Sequence, residues 1–78
     1  MTKKEFNELT QTGVVVVDFY ATWCGPCRML SPVIDALSEE LKDVSFYKVN
    51  VDSAEIITKE YEIMSIPTLL IFETNSLK

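Results

Sequence analysis

Val14-Val15-Val16-Val17-Asp18-Phe19-Tyr20-Ala21-Thr22-Trp23-Cys24-Gly25-Pro26-Cys27 is the stretch from which the rest of the 78-residue sequence is read. Residues 14–20 are β-branched, aromatic and apolar on both alternating faces, which predicts a strand buried on both sides. Gly25-Pro26 breaks that pattern and opens a helix, since proline suits an early helical position where its missing N–H is not needed. Leu30, Val33, Ile34, Leu37 and Leu41 then recur at helical spacing as far as Lys42, with Pro32 inside the pattern predicting a kink. One residue is out of keeping. Asp18 places a carboxylate within the buried strand, where it is either solvated or salt-bridged at the strand end, or buried at a cost.

Outward from this stretch, Thr2-Lys3-Lys4-Glu5 has the S/T-x-x-E form of a capping box, followed by Phe6 and Leu9 on one face. With Gly13 as a stop, this predicts a short helix over about 3–12. Val44 to Val51 reads as a second strand. Asp52-Ser53-Ala54-Glu55 is another capping signal, before a short helix carrying Ile56, Ile57, Glu60 and Tyr61. Met64-Ser65-Ile66-Pro67 is a loop, and Thr68 to Phe72 a third strand. The order α-β-α-β-α-β predicts a single α/β domain over 1–78, its first two strands parallel and joined by a right-handed crossover.

Composition narrows the function. At 47% hydrophobic and 24% charged the chain is ordinary for a globular protein. Its length buries only roughly 60% of the unfolded surface, so stability depends on every layer being covered. Seven Lys+Arg against twelve Asp+Glu give a net charge of −5, which disfavours nucleic acid and anionic membranes as partners. No apolar segment follows Lys3-Lys4, and Val14 to Val17 is too short for a signal core or a span, which predicts a cytoplasmic protein.

Two cysteines and no histidine rule out several centres. A structural zinc site or an iron–sulfur cluster needs more ligands than these, and c-type haem attachment needs a histidine where Arg28 stands. No metal and no cofactor is therefore expected. A structural disulfide remains open, although a loop of about four residues contributes only about 2 kcal/mol by constraining the unfolded chain. Cysteines this close, in a chain with no export signal, are more often chemical.

Trp23-Cys24-Gly25-Pro26-Cys27 resembles the active site of the thioredoxin family, and the likeness extends past that pentapeptide. Val17-Asp18-Phe19-Tyr20-Ala21-Thr22 is similar to the family's strand leading into the site. Lys48-Val49-Asn50-Val51-Asp52 is similar to its central strand, and Ile66-Pro67-Thr68 to its cis-proline loop. A lone C-x-x-C is a weak signal, but this ordered set, spread over residues 3 to 73, is a strong one. It implies a thioredoxin-like fold and a thiol–disulfide oxidoreductase that reduces disulfides in other proteins, recycled by thioredoxin reductase.

The resemblance assigns roles that physical chemistry supports. Cys24, at a helix N-terminus with its unsatisfied N–H groups and partial positive charge, would carry a stabilised thiolate and attack. Cys27, one turn inside, would be shielded and resolve the mixed disulfide. Gly25 would permit close backbone approach, and Gly-Pro between the cysteines accompanies reducing members of the family. Asp18 would lie beneath the cysteines and accept the Cys27 proton through water, with Lys48 nearby. Pro67 would be cis, against the usual preference for trans, setting Ile66 beside Cys24 where a substrate strand pairs. Trp23 could simply be core, but its place beside Cys24 favours a docking surface with Gly25, Pro26 and Ile66. Arg28 reads as solvated, Tyr20 and Met29 as packing, and Tyr47 and Tyr61 have no special claim.

The family's strand before the first helix, and its last strand and helix, have no counterpart here, so the likeness implies an incomplete domain. A hairpin after Phe72 would need an Asn-Gly-type turn, and no glycine is present. Three strands are expected, in the order 44–51, 14–20, 68–72, the last antiparallel. Outer edges and an open apolar face would then invite self-association. The competing function is a redox-inactive or truncated thioredoxin-fold binding module, which would keep binding after replacement of both cysteines by serine.

Overall fold

The computed structural model describes residues 2–74, 76 and 77. The chain runs α1 (Lys3–Leu9), β1 (Val14–Tyr20), α2 (Gly25–Glu40), β2 (Val44–Asn50), α3 (Glu55–Glu60), β3 (Thr68–Glu73) and β4 (Ser76–Leu77). The strands form one mixed sheet in the order β2-β1-β3-β4. β1 and β2 are parallel, which α2 makes possible as their connection, and β3 is antiparallel to β1.

Local chemistry accounts for the ends of α1. Thr2 caps the helix as the sequence predicts, its hydroxyl accepting from Glu5 N at 3.1 Å while the Glu5 carboxylate accepts from Thr2 N at 3.2 Å. The helix stops at Leu9, short of residue 12, with the buried Thr10 as its C-cap and the Thr10 hydroxyl donating to Phe6 O at 3.0 Å. Gly13 is used later, at φ +73°, in the turn into β1. α2 continues through Pro32 to Glu40. The expected side-chain cap on α3 is absent: the helix begins after Ala54, with no side-chain cap hydrogen bond.

The strand count differs from the expected three. β4 pairs with β3, Phe72 opposite Leu77 and Glu73 opposite Ser76. The turn dispenses with glycine because Thr74 takes φ +48° itself, with its N–H on Gly13 O at 2.9 Å. Asn75, at the position of the expected turn, lies outside the described residues.

One face of the sheet carries the core. Phe6, Val15, Val17, Phe19, Val49, Ala54, Ile57 and Phe72 form a single buried cluster beneath α1 and α3. Phe6, Tyr61 and Phe72 meet in tilted and edge-on pairs, with centroids 5.4 to 5.7 Å apart. Lys3 ties α1 to α3 by pairing with Glu60 and lying over the Phe6 and Tyr61 rings. The opposite face is thinner. Of α2 only Cys27 and Ile34 are buried, while Val33 and Leu37 of the helix, Leu41 at its C-cap, and Leu69 and Ile71 of β3 stay exposed. An apolar face is thus open among the described residues, as the sequence predicts.

Candidate redox site

β1 delivers the chain to the site and α2 receives it. Ala21, Cys24 and Cys27 form a small buried cluster at that junction, with Tyr20, Val51 and Ile66 packed against it. Cys24 is the N-cap of α2: its backbone is extended (φ −89°, ψ 110°), and its sulfur accepts the Cys27 N–H at 3.2 Å. The same amide would face a thiolate at that sulfur. Pro26 occupies the first turn. Cys24 and Cys27 are disulfide-bonded, with Cα atoms 5.3 Å apart, so two intervening residues bring the sulfurs together.

In this bonded form both cysteines are buried, Cys24 at 5% and Cys27 at 4% exposure, so exposure does not distinguish them. Position does. Cys24 sits at the cap, whereas Cys27 lines a cavity of about 320 Å³ with Asp18, Tyr20, Arg28, Ser31 and Lys48. Asp18 is 2% exposed, and its Oδ1 has no hydrogen-bond partner among the described residues. Burial pushes its pKa up from the ordinary 3.8, and the positive charge of Lys48 opposes the shift. Asp18 is therefore a buried carboxyl in the floor of the cavity, not a solvated residue at a strand end. Lys48 is its register neighbour on β2.

On the outer side, the Ile66–Pro67 peptide bond is cis. Ile66 packs on the cysteine cluster and also lines a shallow groove of about 140 Å³ with Trp23, Val51, Thr58, Ile63, Met64 and Ser65. Trp23 is 66% exposed and so belongs to the surface, not the core. Its Nε1–H donates to Asp52 Oδ2 at 2.9 Å. Asp52 is the partner the sequence reading missed. Its capping pattern drew attention to α3, and no local signal links it to a tryptophan 29 residues away. Gly25 is exposed, with open space where a Cβ would project, so no part of the chain itself approaches it closely. Met29 corrects the packing expectation: it is 80% exposed on α2. Tyr20 does pack, as expected.

A thioredoxin-like sheet with a bonded cysteine pair at the cap of its longest helix defines a thiol–disulfide oxidoreductase. The Thioredoxin family model matches residues 1–78. Thioredoxin from Mycoplasmoides gallisepticum is 50% identical over 72 residues, covering 91% of this chain and 72% of that protein. Thioredoxin-1 from Saccharomyces cerevisiae is 45% identical over 73 residues, covering 92% and 71%. In three dimensions, the oxidized form of mitochondrial thioredoxin 3 from the same yeast superposes with a TM-score of 0.95 at 38% identity, covering 99% of this chain and 74% of that one. The chain belongs to the thioredoxin family.

Proposed function

We propose that the chain reduces disulfides in other proteins through a Cys24/Cys27 dithiol–disulfide cycle. Cys24 as thiolate attacks a substrate sulfur, forming a mixed disulfide and releasing the first substrate thiolate, which takes a proton from solvent. Cys27 then gives its proton through water to the Asp18 carboxylate, and the new thiolate attacks the Cys24 sulfur. The second substrate sulfur leaves as thiolate and takes up a proton as Asp18 gives one back to solvent, and the chain is left in its disulfide form. Two electrons pass to the substrate, and thioredoxin reductase returns them to the chain. Trp23, Gly25, Pro26, Ile66 and Pro67 form the docking surface, and Lys48 supports Asp18. The setting is a reducing compartment, the cytoplasm.

One observation carries this reading. The two cysteines share a bond yet differ in surroundings, with Cys24 at the helix cap and Cys27 facing an orphaned buried carboxyl. A carboxyl with raised proton affinity is better matched to a thiol as an acceptor near neutral pH. The test is trapping. Cys27→Ser cannot resolve and is expected to accumulate a dithiothreitol-sensitive mixed disulfide with an oxidised protein substrate, linked through Cys24 by peptide mapping. Cys24→Ser is expected to trap none. Equal trapping by both variants, or none by either, overturns the assignment.

A further inference from the structure

Asp18 and Lys48 lie side by side on β1 and β2, where an aspartate and a lysine ordinarily pair. They do not pair here. Asp18 Oδ1 is buried without a hydrogen-bond partner. The Lys48 ammonium lies 2.7 Å from Ser31 Oγ and 3.1 Å from Asp35 Oδ1, both on α2. Ser31 and Asp35 stand four positions apart, one helical turn, so their side chains share a helix face. We propose that Ser31 and Asp35 are positioning residues of the redox site: they hold the Lys48 ammonium on α2 and so leave the Asp18 carboxylate unpaired in its cavity, free to take the Cys27 proton.

The chemistry needs such a device. A lysine in contact with a carboxylate favours its ionised form and makes it a poor proton acceptor. A lysine held nearby but engaged elsewhere makes the buried charge tolerable without quenching the base. The two holding groups are complementary. Ser31 gives the shorter contact and adds no charge, while Asp35, its side chain 66% exposed, supplies an opposing charge screened by water. The other charged or titratable groups around Asp18 do not duplicate this role. α2 contributes Arg28 and Cys27 to the cavity, and β1 contributes Tyr20. β3 places Leu69 opposite Asp18, and its one ionisable side chain, Glu73, pairs in register with Val14 at the far end.

The proposal rests on the reading of Asp18 as proton acceptor, and the test separates the two. The Asp18 carboxyl is titrated by carbon-13 NMR in the oxidised chain, where no thiol titrates beside it, for the native chain, Ser31→Ala, Asp35→Asn and the double variant, each with and without Lys48→Met. Release of Lys48 is expected to weaken the proton affinity of Asp18 at least about threefold in the double variant, the direction an approaching ammonium dictates. In the Lys48→Met background Ser31→Ala is expected to change nothing, which a merely structural role of Ser31 would not reproduce. An unmoved titration, or an equal shift without Lys48, overturns the clamp. The pH profile of disulfide reduction is read in parallel and is expected to follow the carboxyl midpoint. A midpoint that moves while the profile stays fixed confirms the clamp and removes Asp18 from the proton transfer.

Discussion

Asp18 concentrates the energetic conflict of the site at a single residue. Its burial raises the folded-state pKa above the ordinary 3.8, with Lys48 working against the rise. The folded chain therefore binds this proton more tightly than the unfolded chain, and stability is lost as the pH climbs from near the ordinary value through the raised one. Asp18→Asn keeps the shape without the charge, and urea unfolding between about pH 4 and pH 8 checks the consequence. The variant is expected to gain on the native chain steadily as the pH rises, by about 1.4 kcal/mol for each pH unit separating the folded and unfolded values. Parallel pH dependences in the two proteins would show that burial costs the carboxylate nothing. Asp18 was legible in the sequence because an ionisable residue inside a doubly apolar strand is conspicuous. The holding of Lys48 by Ser31 and Asp35 was not. Serine and aspartate on the outside of a helix carry no local mark, and their role appears only when β2 is set beside α2. Asp52 escaped notice for the same reason.

β3 shows how one element serves two environments. Its residues alternate, Phe72 buried in the aromatic cluster and Leu69 and Ile71 exposed on the opposite face. Phe72→Ala is expected to cost about 3–5 kcal/mol by emptying the space between Phe6 and Tyr61. Ile71→Ala, at 46% exposure, is expected to cost under about 1.5 kcal/mol. Chemical denaturation of the two variants checks this, and a cost for Ile71→Ala matching that for Phe72→Ala would place both faces of β3 in the core. The strands were legible because apolar, β-branched runs need no distant information. Ends and turns were harder. α1 stops at Leu9 with Thr10 as its C-cap, before the glycine that marked its expected end, and the hairpin after Phe72 forms because Thr74 accepts a left-handed backbone that the sequence rule reserves for glycine. Apolar periodicity also overstated the core of α2. Val33, Leu37 and Leu41 repeat at helical spacing yet remain exposed, since periodicity identifies a face and not what covers it.

Across the whole molecule the sheet, its helices and the net charge of −5 set out a division of labour. α1 and α3 seal one face into the packed core, while α2 spends its first turn on the cysteines and a later face on Lys48. The redox pair thus sits where a rigid strand meets a helix cap, with the Asp18 cavity on one side and the Trp23–Ile66 groove on the other. The family was legible because the Trp23–Cys27 motif, the strand carrying Asp18 and Ile66-Pro67-Thr68 each bear a local signature in the right order, and the fold then sets Asp18 and Ile66 on either side of the cysteines. The most direct measurement is the rate at which dithiothreitol reduces insulin disulfides in the presence of the native chain, Cys24→Ser or Cys27→Ser. Serine caps helices well, so the fold is expected to survive at Cys24 and any loss to be chemical. Acceleration by the native chain is expected, and its loss in both serine variants. Acceleration that persists in Cys24→Ser, or that is absent from the natively folded parent chain, would contradict it.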